Sequence, residues 1–226
     1  MQKINILGVE LTDHPLKESL ALTESYSQGG VCSTVLYVTT PMLMLAGSDA
    51  EEKRWIEEMD LTLCGEADIL KAAGIESVGR LYEVENLVFL KEFLRRMEQA
   101  DKKIYLLADS EKELALLENE LTAFRPGLSI VGYSLLTAET QNIEEIINKI
   151  NDIAPAAVIS RLPAGLQERS MSEAKPLVNA KVWLGISRDM ILDGTKKTVH
   201  RRILSEIYKR IFRRRINRFS DNNRKE

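Results

Sequence analysis

The clearest indication of the fold is in residues 102–132, KKIYLLADSEKELALLENELTAFRPGLSIVG. Its first part, IYLLA, is a short apolar run of the kind that forms a strand buried on both faces. Asp109 and Ser110 are suited to cap the helix that follows, and the sequence RPG ends that helix. LSIV then begins a second strand. A strand, a helix and another strand in this order predict a parallel β-α-β unit.

The same alternation continues in both directions along the chain. Further strands are predicted in KINILGVEL (3–11), CSTVLYVTT (32–40), DLTLC (60–64), AAVIS (156–160) and AKVWLGIS (180–187). Amphipathic stretches such as VENLVFLKEFLRRMEQA (84–100) lie between them and predict helices. We therefore expect a Rossmann-like α/β domain over residues 1–195, with a mostly parallel sheet covered by helices on both faces.

Length and composition define the class of protein. A chain of 226 residues, 44% hydrophobic and 29% charged, is ordinary for one globular domain. It has two cysteines, two histidines and no CxxC pair, which favours a reduced cytosolic protein over a disulfide or zinc framework. We expect a cytoplasmic chain, because no export signal is visible and the longest uncharged run, residues 26–48, is too polar to span a membrane.

The C-terminal segment 196–226 differs sharply in charge from the rest of the chain. It holds 12 Lys and Arg against 3 Asp and Glu, whereas the remaining chain holds 19 against 31. Apolar residues at 203, 204, 207, 208, 211 and 212 form a helical stripe between about residues 198 and 219. A basic amphipathic helix predicts contact with an anionic membrane surface. Docking on the protein's own core is the open alternative, and nucleic acid is disfavoured because the body is acidic and carries no known binding motif.

Two acidic residues, Glu66 and Asp68, follow the predicted strand at 60–64. Ligands of open α/β proteins bind at the carboxyl ends of strands, so both are candidates for a general base. The other interpretation is that they complement the dipole at the start of a helix, and the residues alone favour it. No GxGxxG, P-loop or GxSxG motif is present, so nothing supports a dinucleotide enzyme, a P-loop NTPase or an α/β-hydrolase.

Several stretches carry a resemblance to a known family. They are INILGVEL (4–11), MLMLAGSDAEEKRWIEEMDLTL (42–63), the unit at 102–132, LQE (166–168) and IYKRIF (207–212). In order and spacing they resemble the WecG/TagA/CpsF glycosyltransferases, glycosyltransferase family 26, over nearly the whole chain. The resemblance implies a Rossmann-like fold with a basic C-terminal helix.

The resemblance also implies an activity. Members of the family transfer an N-acetylmannosamine-type sugar from UDP to a lipid-linked undecaprenyl diphosphate acceptor, with inversion and without a metal ion or other cofactor. The products serve cell-surface polysaccharide or teichoic acid synthesis. The family's base is the aspartate of a PDG turn, which here reads Cys64-Gly65-Glu66. The resemblance therefore implies that Glu66 or Asp68 takes the catalytic role.

The donor site is implied by the other family motifs, which are only partly kept. Residues matching the TPN, RVAG, glycine-pair and GLGAPKQE motifs are Thr39, Thr40, Arg80, Asp109, Arg161, Gln167 and Glu168. In that interpretation Arg161 pairs with a diphosphate and Gln167 hydrogen-bonds the ligand. Alternatively, residues 161–168 form a solvated loop entering a helix, the threonines are ordinary strand residues, and Asp109 belongs to a helix cap.

The implied partners are a UDP-sugar, a lipid-linked acceptor and the inner face of the cell membrane. The basic residues expected to meet the membrane or the acceptor diphosphate are Arg202, Lys209, Arg210, Arg213, Arg214 and Arg218. Homo-oligomer formation is left open. Because the family aspartate and glycines are missing, a second hypothesis stands beside the enzyme: a catalytically inactive relative that acts as a binding or regulatory subunit.

Overall fold

A computed structural model describes residues 2–140, 143–188, 190, 192 and 206–217. The strands are β1 Gln2–Ile6, β2 Val9–Asp13, β3 Ser33–Val38, β4 Leu61–Cys64, β5 Lys103–Ala108, β6 Ser129–Leu135, β7 Ala157–Arg161 and β8 Val182–Gly185. The α-helices are α1 Leu16–Ser27, α2 Thr40–Ala46, α3 Ala50–Glu57, α4 Ala67–Ala72, α5 Val78–Glu85, α6 Val88–Gln99, α7 Glu111–Phe124, α8 Ile143–Ile153, α9 Leu166–Ala174 and α10 over 206–217. A short 3₁₀ helix covers Lys175–Leu177.

Six strands form one parallel sheet in the order β4-β3-β8-β7-β5-β6. The chain runs outward from β3 to β4, crosses to β5 and β6, and returns through β7 and β8 to the middle of the sheet. Helices cover both faces, as the continuous apolar strands predict. The α/β, Rossmann-like prediction is confirmed, and the carboxyl ends of all six strands meet at one edge.

The predicted first strand is wrong in one respect. Residues 3–11 do not enter the sheet as one strand, because β1 and β2 pair with each other as a separate antiparallel hairpin. Leu7 and Gly8 both have positive φ, as a two-residue hairpin turn requires, and the Gly8 N–H donates to Asn5 Oδ1 at 3.1 Å. The sequence Leu7-Gly8 interrupts what apolar character alone presents as one strand.

The core has two parts, one on each face of the sheet. Helices α2, α3, α4, α8 and α9 pack with the β1–β2 hairpin on one face. Helices α1, α6 and α7 pack on the other face, where α6 contributes its whole apolar stripe. Ser110 caps α7 by accepting a hydrogen bond from the Glu113 N–H at 3.3 Å, as predicted for this helix start. The two layers hold the strand ends in fixed positions.

The basic helix α10 docks on the first of these core parts. Phe212 is 1% exposed and packs in the core, and Ile216 packs against it. The expectation that Phe212 belongs to a membrane-facing stripe is therefore wrong. Ile207, Tyr208 and Ile211 of the same stripe remain exposed. Residues 198–205, 218 and 219 of the predicted helix, including Arg202 and Arg218, lie outside the described residues.

In the part of the chain that the structure describes, no helix is both long and apolar enough to cross a membrane.

Candidate functional site

A cavity of about 390 Å³ lies at the carboxyl ends of β3, β4 and β8. Thr39 follows β3, Gly65 and Glu66 follow β4, and Ser187 follows β8. Helix α4 adds Asp68 and Lys71 to the wall. We call this space the first cavity. It stands where a doubly wound sheet binds its ligands.

Helix α10 forms part of the same wall. Lys209 and Arg213 line the first cavity, and Arg213 Nη2 donates to Asp68 Oδ1 at 3.0 Å. Arg215 Nη1 donates to the Met44 carbonyl at 2.8 Å, which ties α10 to α2. The structure thus brings two predicted tail cations, Lys209 and Arg213, to a predicted catalytic residue. Arg210 and Arg214 are exposed on α10.

Glu66 and Asp68 have different environments. Both oxygens of Glu66 are engaged, one by the Thr40 N–H at 3.0 Å and the other by Thr40 Oγ1 at 2.9 Å. Glu66 therefore satisfies the N-terminus of α2, a role that suits a carboxylate at a helix start. The Asp68 carboxylate lines the first cavity and is 13% exposed, with Arg213 as its ion-pair partner. Of the two candidates, Asp68 is the one placed to contact a ligand.

Gly65, which the motif resemblance matches to the family aspartate, has no room for a side chain. An added Cβ would lie 2.8 Å from the Val38 carbonyl oxygen and 2.8 Å from Met190 Cε. The Gly65 N–H also donates to that same carbonyl at 2.8 Å. A carboxylate at this position would require the end of β3 to move. Glu66 and Asp68 both line the first cavity after this turn, and Glu66 is the one whose two oxygens are held by Thr40.

A second cavity of about 470 Å³ lies farther along the same edge, where β5, β6 and β7 end. Asp109 follows β5 and Thr137 follows β6, and residues 163–166 connect β7 to α9. Helix α3 contributes Glu52 and Trp55. We call this space the second cavity. Candidate donor residues are thus divided, with Thr39 in the first cavity and Asp109 in the second.

Asp109 forms an ion pair with Arg188, which follows β8. The Arg188 Nε also lies 4.0 Å from Glu113 Oε2. Since Ser187 lines the first cavity and Asp109 lines the second, this pair joins the walls of the two cavities. The sequence gives no local signal for it, because the two partners are 79 residues apart.

Gln167 and Glu168 support the loop after β7. Gln167 is fully buried, accepts from the Leu162 N–H at 2.9 Å and donates to Ser160 Oγ at 2.6 Å. Glu168 Oε2 accepts from the Gly165 N–H at 2.7 Å and so satisfies a backbone donor at the start of α9. The solvated-loop alternative is wrong for these two side chains. Neither lines the first or the second cavity.

Arg161 and Arg80 are both held in ion pairs inside the protein. Arg161 is 1% exposed, and its Nη2 donates to Glu120 Oε2 at 2.6 Å. Arg80 binds Asp13 through two hydrogen bonds and also pairs with Glu83. Neither arginine lines the first or the second cavity. In place of the expected contacts with a donor, both arginines contact carboxylates of the protein, of which Asp13 and Glu120 are distant in sequence and Glu83 is three residues from Arg80.

Burial raises the pKa of Glu168 to about 7. The folded protein then binds a proton that the unfolded chain releases above its ordinary pKa of about 4.3. Stability should therefore fall as pH rises from about 4.3 to about 7. Glu168→Gln should remove this pH dependence. The free energy of unfolding of the variant, relative to that of the unaltered chain, should therefore be higher at pH 8 than at pH 5. Urea unfolding at the two pH values checks this, and an equal difference at both would contradict it.

The site also contains residues that sequence reasoning missed. Lys71 lies one helical turn after Asp68 on α4, a spacing that is visible in the sequence. Glu52 and Trp55 line the second cavity from α3, and Arg169 lines it from α9, directly after the LQE match. Within the described residues, no group of three or more His, Cys, Asp or Glu is arranged to hold a metal ion.

A parallel sheet with two cavities along its carboxyl edge defines a Rossmann-like α/β protein, a class whose ligands bind at that edge. Comparison with family models is more specific, since the model of the glycosyl transferase WecG/TagA/CpsF family matches residues 4–191. The chain belongs to the WecG/TagA/CpsF glycosyltransferase family. A search of curated proteins gives no match.

Proposed function

We propose that this chain transfers an N-acetylmannosamine-type sugar from UDP to an undecaprenyl diphosphate-linked acceptor in cell-surface polysaccharide or teichoic acid synthesis. The observation that carries the proposal is the first cavity. Its lining holds the carboxylate of Asp68 together with three cations, Lys71, Lys209 and Arg213, while Glu66 and Glu85 are the other two carboxylates of the wall. A carboxylate can remove a proton from an acceptor hydroxyl, and clustered cations stabilise diphosphates. Family membership supports sugar transfer as the reaction class.

In the proposed reaction Asp68 accepts the proton of the acceptor hydroxyl. The acceptor oxygen then bonds to the anomeric carbon from the face opposite the leaving group. The bond between that carbon and the diphosphate oxygen breaks, and UDP leaves with the electron pair. This displacement inverts the anomeric centre. In keeping with the family resemblance, we expect it to need no metal ion or cofactor.

Arg213 links the base to the acceptor. In the structure its guanidinium is 66% exposed and bound to Asp68. We expect an incoming acceptor diphosphate, with more negative charge than one carboxylate, to attract Arg213, while Lys71 and Lys209 bind the same group. Asp68 would then be released to act as the base. Thr39 is the candidate donor contact in this cavity, and Thr40, Arg80 and Gln167 hold its surroundings in place.

The exposed face of α10 suits a membrane surface. Ile207, Tyr208 and Ile211 are solvent-exposed, and Arg210 and Arg214 accompany them. Apolar side chains next to arginines favour an anionic interface. We propose that the protein associates peripherally with the inner face of the cell membrane, where a lipid-linked acceptor is found. The lining of the first cavity by α10 would bring the site to that surface.

A second candidate function is an inactive relative that binds ligands or regulates a partner. It is favoured by Gly65, where the family aspartate cannot be accommodated, and by the engagement of Glu66 and Asp68 in other contacts. The two functions differ in what they require. Only the enzyme needs an accessible Asp68 and productive donor binding.

Titration calorimetry with UDP and UDP-N-acetylmannosamine tests the proposal. We expect saturable binding of both, with a dissociation constant well below millimolar. Absence of binding at millimolar ligand, where the free energy of binding is only about −4 kcal/mol, would contradict a role in sugar transfer.

Asp109 is expected to weaken donor binding, because it places a negative charge at the wall of the second cavity. Replacing Asp109 with glycine should tighten UDP binding by about fivefold, since one charge repulsion near a protein surface is worth about 1 kcal/mol. Asp109→Asn is the matched variant that removes charge but keeps size. Calorimetry that finds unchanged or weaker UDP affinity in both variants would contradict this expectation.

A further inference from the structure

The charges of the second cavity differ from those of the first. Its walls carry three carboxylates, from Glu52, Asp109 and Glu139, against one guanidinium, from Arg169. In the first cavity three carboxylates, from Glu66, Asp68 and Glu85, are balanced by three cations, from Lys71, Lys209 and Arg213. A diphosphate is therefore disfavoured in the second cavity. Its volume of about 470 Å³ is nevertheless within the range of small-molecule sites.

Two residues on one face of α3 leave polar atoms unsatisfied at this cavity. Trp55 is 8% exposed, and its indole Nε1 has no hydrogen-bond partner among the described residues. Glu52, one turn earlier, has a buried Oε2 that is likewise unpartnered in the described part of the chain. Buried polar groups in proteins are normally hydrogen-bonded, so each such atom calls for a partner. One of these atoms is a donor and the other is an acceptor.

Gly165 leaves space in front of Glu52. A Cβ at this position would lie 3.1 Å from Glu52 Oε1, and Gly165 has a φ of +85°, which glycine adopts readily. Arg169 and Thr137 add further hydrogen-bonding groups to the wall. Carboxylate acceptors, N–H donors and a hydroxyl around an open space match a neutral group that both donates and accepts.

We infer that the second cavity is a saccharide subsite, in which Glu52 accepts hydrogen bonds from sugar hydroxyls while Trp55 and Arg169 donate to sugar oxygens. The inference rests on the proposed function, because the sugar that we place in this subsite is the sugar of the UDP-linked donor. The ribose of UDP also carries hydroxyl groups and is the other group that could occupy the subsite. Glu52 and Trp55 lie in the resembling stretch 42–63 but in none of the PDG, TPN, RVAG, glycine-pair and GLGAPKQE motifs from which the candidate site residues were taken.

The chain contains its own spectroscopic reporter for this site. Its two tryptophans are Trp55, at the second cavity, and Trp183, which is 1% exposed and donates to Ser160 Oγ at 2.8 Å. Subtracting the fluorescence emission of the Trp55→Phe variant from that of the unaltered chain gives the emission of Trp55. The probes are UDP, UDP-N-acetylmannosamine and free N-acetylmannosamine.

Glu52→Gln is the test variant, and Glu51→Gln is its matched control. Both remove one charge from the first turn of α3, but Glu51 is exposed and does not line the cavity. We expect Glu52→Gln to weaken UDP-N-acetylmannosamine binding by about tenfold. Glu51→Gln should bind like the unaltered chain, and UDP affinity should change in neither. Circular dichroism confirms that both variants fold.

The outcomes separate the subsite from the proposed function. Equal weakening of UDP and UDP-N-acetylmannosamine by Glu52→Gln would assign the hydroxyls to the ribose. Tight donor binding that is indifferent to Glu52 would overturn the subsite and leave the proposed function standing. If neither UDP compound binds but free N-acetylmannosamine changes Trp55 emission in a Glu52-dependent way, the proposed function fails and the subsite stands. No response to any probe overturns both.

Discussion

Replacing Asp68 with asparagine is expected to lower the rate of sugar transfer by about 10²- to 10⁴-fold, the usual effect of removing a general base. Asparagine keeps the shape of the side chain and still accepts a hydrogen bond from Arg213, so the cavity wall should persist. The loss should therefore appear mainly in kcat, with little change in donor affinity. Initial rates with UDP-N-acetylmannosamine and an undecaprenyl diphosphate-linked acceptor provide the measurement.

Glu66→Gln is the informative comparison. Because Glu66 bonds Thr40 at the start of α2, its replacement should lower stability by about 1–2 kcal/mol and leave transfer within about tenfold of the unaltered chain. A Glu66→Gln/Asp68→Asn double variant should be as slow as Asp68→Asn alone. Full activity in the double variant would show that neither carboxylate is the base.

Reversing the charge of Arg210 and Arg214 together is expected to abolish most binding to anionic vesicles. Each Lys or Arg near an anionic leaflet contributes about 1 kcal/mol, so exchanging two arginines for glutamates should weaken partitioning by about three orders of magnitude. Both side chains are exposed on α10, beside Ile207 and Ile211. Co-sedimentation with phosphatidylglycerol vesicles measures the effect, and binding of the unaltered chain should fall as salt rises.

The control variant changes the net charge of the protein by the same amount at two lysines outside α10. Lys112 and Lys149 are exposed on α7 and α8, and their replacement by glutamate should affect sedimentation much less. Point variants are preferable to truncation, because deleting α10 would also remove the buried Phe212 from the core. Equal sedimentation of the Arg210/Arg214 and Lys112/Lys149 variants would show that the basic helix serves only the protein itself.

Most of the fold could be predicted because it depends on local pattern. Short apolar runs alternating with amphipathic stretches gave the strands of the parallel sheet, and residues 102–132 formed the expected unit of β5, α7 and β6. The exception was the segment 3–11, where two residues with positive φ turn the chain into a hairpin. A backbone turn of this kind leaves little trace in hydrophobic periodicity.

The site could be predicted only where local position decides it. Asp68 follows a strand end, so its place at the first cavity could be expected from the sequence. Arg80 and Arg161 could not be placed, because their partners are 67 and 41 residues away. Phe212 shares an apolar stripe with Ile211, yet one is buried and the other is exposed. The surface on which the helix docks decides which residues of the stripe are buried. The pattern of the helix does not contain that information.

Sugar transfer by this chain is tested by following product formation. The purified full chain, an undecaprenyl diphosphate-linked acceptor and UDP-N-acetylmannosamine are incubated with a chelator, and the lipid product is followed by mass spectrometry. We expect an acceptor enlarged by one N-acetylhexosamine, equimolar release of UDP, and loss of both in Asp68→Asn. An unmodified acceptor after prolonged incubation with saturating donor would contradict sugar transfer and favour the inactive relative.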